Sequence, residues 1–166
     1  MKQDNQRQAV LYAYMAGIFD GEGSVGISKV TRDKKRPNWA PRYSAYVSFV
    51  NTDKESVELF RKTFTPTYQP IIEHQPPHTG YKTQYRWRTP GNKIVIEILE
   101  TLLPYLRVKK ARARLVIEYC KGKQVDGFKR RGGVPPKELR RREKYYSLLL
   151  TRPQRLNEEP RESVKR

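Results

Sequence analysis

A chain of 166 residues with 36% hydrophobic residues suits one cored domain, and a formal net charge of +18 makes a polyanion the leading partner. No apolar run approaches the roughly 20 residues that span a bilayer, and the polar start MKQDNQRQ is unlike a signal peptide, so nucleic acid ranks ahead of an acidic membrane surface. One cysteine, Cys120, and two histidines, His74 and His78, exclude an intrachain disulfide and a zinc finger; a catalytic metal is expected to take oxygen ligands, in a reducing cell interior.

Residues 1–6 read as a frayed polar end. A helix is predicted from about Arg7 to Asp20, where Val10, Leu11, Tyr14, Met15, Ile18 and Phe19 recur at helical spacing. Ala13, Gly17 and Gly21 share one ridge of that helix. Glycine within a helix costs about 1 kcal/mol relative to alanine, so two on one ridge point to a close contact or to packing on the chain's own sheet. Gly23 ends the helix just after Glu22. Residues 24–30 alternate, with Val25 and Ile27 opposite Ser24, Gly26 and Ser28. A loop over 31–41 gathers Arg32, Lys34, Lys35 and Arg36. Residues 42–50 alternate again: Tyr43, Ala45, Val47 and Phe49 form one face, and Arg42, Ser44, Tyr46 and Ser48 the other. This is the pattern of an antiparallel hairpin with one face left to a partner.

Asn51-Thr52-Asp53 supplies cap chemistry for a second helix carrying Val57, Leu59, Phe60 and Phe64 and ended by Pro66. A second hairpin is predicted over 68–89, turning at Pro76–Gly80. Its return strand sets Tyr81, Tyr85 and Trp87 against Lys82, Gln84, Arg86 and Arg88. A helix over about 92–106 is interrupted by Pro104, and a basic helix over 108–120 is closed by Gly122. Residues 121–166 then hold fifteen Lys or Arg against six Asp or Glu. The expected organisation is a core over 1–120 and a basic extension over 121–166, with a helix at about 137–151 and a disordered tail.

Met15-Ala16-Gly17-Ile18-Phe19-Asp20-Gly21-Glu22-Gly23 resembles the LAGLIDADG nonapeptide of homing endonucleases at all nine positions. The resemblance extends over residues 7 to about 120, because the predicted element order matches that family's αββαββα core. It implies an α+β fold whose saddle-shaped antiparallel sheet enters the DNA major groove, here with extra C-terminal helices. One nonapeptide implies a homodimer, joined through Ala13, Gly17, Asp20 and Gly21. It also implies that Glu22 and the Gly21 carbonyl bind Mg²⁺, with Mn²⁺ able to substitute. Leu103-Pro104-Tyr105-Leu106-Arg107-Val108-Lys109 resembles the stretch that delivers a lysine to the catalytic centre; Lys109 is the match, with an ordinary phosphate contact as its alternative. Asp53 stands where relatives often place glutamine, and it departs from that pattern: it either orients the attacking water, adds metal-binding capacity or caps the second helix. Val57 occupies the place of a supporting arginine, which leaves Arg61 and Arg86 as substitutes.

The expected DNA-contacting residues are Ser28, Arg32, Arg42, Ser44, Tyr46, Ser48, Gln84, Arg86 and Arg88 on the polar sheet face, with Lys82 and Lys110 on phosphates. The function implied is a site-specific, double-strand DNA endonuclease of the intron-homing type, acting on a long, partly palindromic site in a bacterial cytoplasm or an organelle. The alternative is an intron maturase that also engages RNA, or a cleavage-silent DNA- or RNA-binding protein of the same fold.

Overall fold

The computed structural model describes residues 2–31, 40–66, 70–75, 80–122 and 134–150. Helix α1 (Lys2–Glu22) leads into strands β1 (Gly23–Val30) and β2 (Arg42–Asn51), then helix α2 (Lys54–Phe64). Strands β3 (Ile72–His74) and β4 (Gln84–Pro90) follow, then helices α3 (Asn92–Leu102), α4 (Lys110–Lys121) and α5 (Pro136–Leu150). The four strands form one antiparallel sheet in the order β1-β2-β4-β3. This is the anticipated α+β class and helix–hairpin–helix–hairpin–helix order, extended by two helices.

Several boundaries differ from expectation. Helix α1 starts at Lys2 rather than Arg7 and runs through Glu22 rather than Asp20. Lys, Gln and Arg lose little rotamer freedom in a helix, and Asp4 in the first turn favours the positive end of the helix dipole. The residues read as frayed are therefore helical from Lys2 onward. The return strand of the second hairpin begins at Gln84, so Tyr81 and Lys82 precede it. Residues 76–79 of the expected turn, residues 123–133 of the basic extension and the tail at 151–166 lie outside the described residues.

One sheet face is the floor of the core. Val25 and Ile27 of β1, Tyr43, Ala45, Val47 and Phe49 of β2, and Trp87 and Thr89 of β4 are all buried. Met15, Ala16 and Phe19 of α1, Val57 and Phe60 of α2, and Val95, Ile98, Leu99 and Leu102 of α3 cover them. Phe60 is the aromatic hub: its ring centroid lies 4.3 Å from Phe49, 6.1 Å from Phe19 and 6.0 Å from Trp87. The indole of Trp87 donates to Thr65 Oγ1 at 2.8 Å, so its one polar atom is satisfied in the interior.

Gly23 is held to glycine by this packing. A Cβ placed there would lie 2.1 Å from Phe19 Cδ2, inside the ring of a fully buried residue. Its φ is not in the left-handed region, which among the described glycines is reached by Gly80 and Gly91. Contact, and not backbone conformation, excludes any other residue where α1 turns into β1.

Helix α5 packs against α4 and β1. Leu149 joins the buried core, and Glu138 is buried with Arg141 and Arg142 hydrogen-bonded to its carboxylate at 2.8 and 2.7 Å. Glu143 accepts from Lys29 Nζ at 2.8 Å and from the Tyr43 hydroxyl. Arg112 of α4 donates through Nε to the Val25 carbonyl and through a terminal nitrogen to the Leu149 carbonyl, each at 2.9 Å. One guanidinium thereby links α4, β1 and the end of α5.

Candidate active site

The carboxyl end of α1 gathers most of the candidate catalytic groups. Glu22 is the last residue of the helix and is exposed. Among the described residues it has no hydrogen-bond or ion-pair partner. Two residues earlier, the Asp20 carboxylate is fully engaged. Oδ2 accepts from the backbone N–H groups of Arg107 at 2.7 Å and Val108 at 3.1 Å, and Oδ1 accepts from that of Lys109 at 2.8 Å. These donors lie in the link just before α4, where the positive end of the helix dipole favours an anion. Asp20 ties the end of one helix to the entry of another.

That clasp delivers Lys109. Its ammonium donates to the Asp20 carbonyl and lies 3.5 Å from the Gly21 carbonyl. Both carbonyls belong to the last turn of α1, where a cation is stabilised by the negative end of the dipole. Burial pushes the Lys109 pKa below its usual value, and Arg112 adds to this, against the opposing pull of Asp20 and Glu22. Glu22, Gly21 and Lys109 thus share one small region despite their separation in sequence.

Asp53 follows β2 at the same end of the sheet, since Gly23 pairs with Phe49 and β2 ends two residues later. Its carboxylate accepts from the Glu55 amide at 3.3 Å, the Ser56 amide at 3.0 Å and the Ser56 hydroxyl. Its own amide donates to Asn51 Oδ1 at 2.9 Å. The Ser56 hydroxyl and amides hold the Asp53 carboxyl below the usual range. The geometry is that of an N-cap for α2. Arg61 is engaged with Glu58 and with the Pro66 carbonyl, and Val57 is fully buried.

The described residues contain no group of three or more His, Cys, Asp or Glu able to hold a metal. The donors at the α1 terminus are a carboxylate and a carbonyl, hard oxygens that suit Mg²⁺ or Mn²⁺ and form a partial shell.

The outer sheet face collects the polar candidates. The pairing sets Ser24 opposite Ser48, Gly26 opposite Tyr46, Ser28 opposite Ser44, and Val30 opposite Arg42. On the other side of β2, Ser48 faces Arg88 and Val50 faces Arg86, and β3 adds His74 opposite Gln84. Ser28, Arg42, Ser44, Tyr46, Ser48, Gln84, Arg86 and Arg88 therefore share one face. Ser48 is nevertheless buried, with its hydroxyl donating to the Trp87 carbonyl at 3.2 Å. Ser28 donates to the Ser44 carbonyl at 3.1 Å. Lys82 is exposed ahead of β4, Lys110 is half-buried at the start of α4, and Arg32 lies outside the described residues. Ser24 and His74 were not anticipated; the alternation of β1 implied the first, but only the register of the short β3 reveals the second.

The glycine ridge of α1 faces outward. A Cβ at Gly17 or Gly21 would meet nothing within 4 Å, which removes the reading in which the ridge packs on the chain's own sheet. Ala13, Gly17 and Gly21 are exposed, beside Val10 at 65% and Tyr14 at 58% exposure. The helix is thus apolar on two sides: Met15, Ala16 and Phe19 face the core, while Val10 and Tyr14 face out. The Asp20 carboxylate is turned into its own chain.

No family model matches this chain, and no curated protein sequence does. Solved structures do. An archaeal intron-encoded homing endonuclease, I-Vdi141I, complexed with DNA, aligns with a TM-score of 0.63 at 18% identity, covering 93% of this chain and 88% of its own. The chain has the LAGLIDADG homing-endonuclease fold. Two more structures of homing endonucleases align in the same way. I-TnaI gives a TM-score of 0.60 at 14% identity, covering 87% of this chain and 92% of its own. I-CvuI, in complex with the I-CreI target in the presence of Mg, gives 0.56 at 18% identity, covering 85% and 97%. Within this fold the nonapeptide forms the end of α1, so Glu22 stands at the exposed terminus of the motif helix.

Proposed function

We propose that this protein is a homodimeric, divalent-metal-dependent DNA endonuclease of the intron-homing type, cutting both strands of a long, partly palindromic site. The observation that carries the reading is the convergence of Glu22, the Gly21 carbonyl and Lys109 at the open end of a nonapeptide helix within the LAGLIDADG fold. The DNA-bound state of structural neighbours supports the choice of substrate.

One chain contributes one carboxylate to the centre, and a second copy brings its own Glu22 alongside when the Ala13–Gly17–Gly21 ridges meet. Glu22 and the Gly21 carbonyl would hold Mg²⁺, with Mn²⁺ able to replace it. When bound, such ions lower the pKa of a water and neutralise charge on the phosphoryl oxygens and the leaving group. Lys109 presents a fixed positive charge to the negative charge that develops in the transition state. Asp20 keeps Lys109 in place through its grip on residues 107–109. Asp53 acts chiefly as the α2 cap. The basic surface and the outer sheet face engage the duplex, with phosphate contacts setting position and base-edge contacts setting sequence.

The test is cleavage of a randomised duplex library by the full chain with Mg²⁺, repeated with EDTA. Metal-dependent double-strand cuts at a defined sequence are expected. Glu22→Gln should lose cleavage by a hundredfold or more while retaining duplex affinity. Absence of any cut in any library, together with tight RNA binding, would overturn the endonuclease in favour of an RNA-directed role.

A further inference from the structure

The outer sheet face contains one pre-arranged element. The guanidinium carbon of Arg88 lies 4.0 Å from the centroid of the Tyr46 ring, stacked on its face. The far end of the same ring covers Gly26 across the β1–β2 pair. A Cβ on Gly26 would meet Tyr46 Oη at 3.2 Å, Cζ at 3.3 Å and Cε1 at 3.4 Å. Glycine inside a strand weakens it and commonly marks a close approach; here Gly26 is buried beneath the tyrosine. Arg88 is exposed and makes no hydrogen bond or ion pair with any described residue. It is thus held by a ring face alone, and a stacked guanidinium keeps its edge N–H donors free. Arg42 and Arg86, also exposed on this face, have no such ring beneath them among the described residues.

We propose that Tyr46 is a positioning residue that holds Arg88 ready to read a guanine in the target, and that Gly26 is small so that Tyr46 can lie down to do so. Two parallel N–H donors from one arginine match the O6 and N7 acceptors that only guanine presents together in the major groove. Fixing the side chain before binding removes rotamer freedom that would otherwise be lost on complex formation. Arginine can also fork onto phosphate oxygens, so selectivity at a base pair, and not affinity alone, separates the two roles of Arg88. This inference rests on the DNA-binding reading above and adds a specificity determinant to it.

The experiment uses the full chain carrying Glu22→Gln, so that duplex is bound and not cut. Base preference is measured by selection from a randomised duplex pool and then on duplexes with single base-pair changes. A guanine preference is expected at one base pair of each half-site. Arg88→Ala and Arg88→Lys should each reduce it about tenfold or more, the second because lysine keeps the charge but not the fork. Tyr46→Ala should reduce preference at that same base pair and leave the others unchanged, whereas Tyr46→Phe should retain it. The proposal is overturned if Tyr46→Ala changes no base pair, or a different one from Arg88. It is equally overturned if Arg88→Lys binds with unaltered preference, which would assign Arg88 to a phosphate. Absence of sequence preference in the Glu22→Gln protein itself would overturn the DNA-binding reading as well, so the two failures are distinguishable.

Discussion

Two residues of the nonapeptide serve the fold more directly than the chemistry. Gly23 leaves room for the Phe19 ring, and Asp20 ties the end of α1 to the start of α4. Filling the contact at Gly23 forces a buried ring to move, so Gly23→Ala should destabilise the chain by about 1–3 kcal/mol, the usual cost of overpacking. Chemical denaturation against the parent chain measures this, and an unchanged midpoint would mean that Phe19 relaxes freely. In the sequence Asp20 was legible only as a dimer-joining residue; its partners within the chain were not legible, since they lie 87 to 89 residues away, beyond any local pattern. Asp53 was the opposite case. Its cap role was legible as one of three alternatives, because the chemistry of an N-cap is local, reaching the amides two and three residues on.

At the level of elements, α1 and α5 carry the main consequences. The outward ridge of α1 predicts a sharp contrast at Gly17. Gly17→Ala meets open space in the single chain and favours helix by up to about 1 kcal/mol, whereas Gly17→Leu should prevent close approach of a second α1. Sedimentation should then show the leucine variant at half the parent mass; an unaltered dimer would place the interface elsewhere. Val10 and Tyr14 recur at the same helical spacing as Met15 and Phe19 and yet are exposed. An apolar stripe that faces outward has the same period as one that faces the interior. For α5, Leu149→Ala should cost about 2–5 kcal/mol, as for other buried leucines. An unpacked basic tail would tolerate the change within about 0.5 kcal/mol, and thermal unfolding separates the two.

Across the whole molecule, burial is felt in the titration of the interior. Tyr119 of α4 is fully buried, and burial pushes its phenol up to about 12, with its hydroxyl 3.3 Å from the Tyr43 carbonyl it donates to. A folded pKa raised above the unfolded value favours the folded state while the phenol stays protonated. This contribution is complete below about pH 10 and is lost as pH rises toward about 12, amounting to about 2 kcal/mol. Tyr119→Phe should flatten the fall in stability over that window, as followed by denaturant midpoints at increasing pH. At the acid side, Glu138 is held below its usual range: burial would raise it, but Arg141 and Arg142 outweigh burial. Its contribution is therefore present above pH 4.5 and lost as pH falls below it.

The sequence by itself determined whatever depends on neighbours a few residues apart. Period-two alternation separated the core face of β1, β2 and β4 from the outer face, and the compact MAGIFDGEG run located the motif helix. The Asp53 cap of α2 was legible for the same reason. Only the tertiary structure decided which side of α1 is open, where Lys109 comes to rest, and that Arg88 stacks on Tyr46 over Gly26. It also decided that residues 136–150 pack on the core through Glu143, Arg112 and Leu149. Each of these depends on strand register or on contacts between segments far apart in the chain, where solvent exclusion and available space, and not local propensity, select the arrangement.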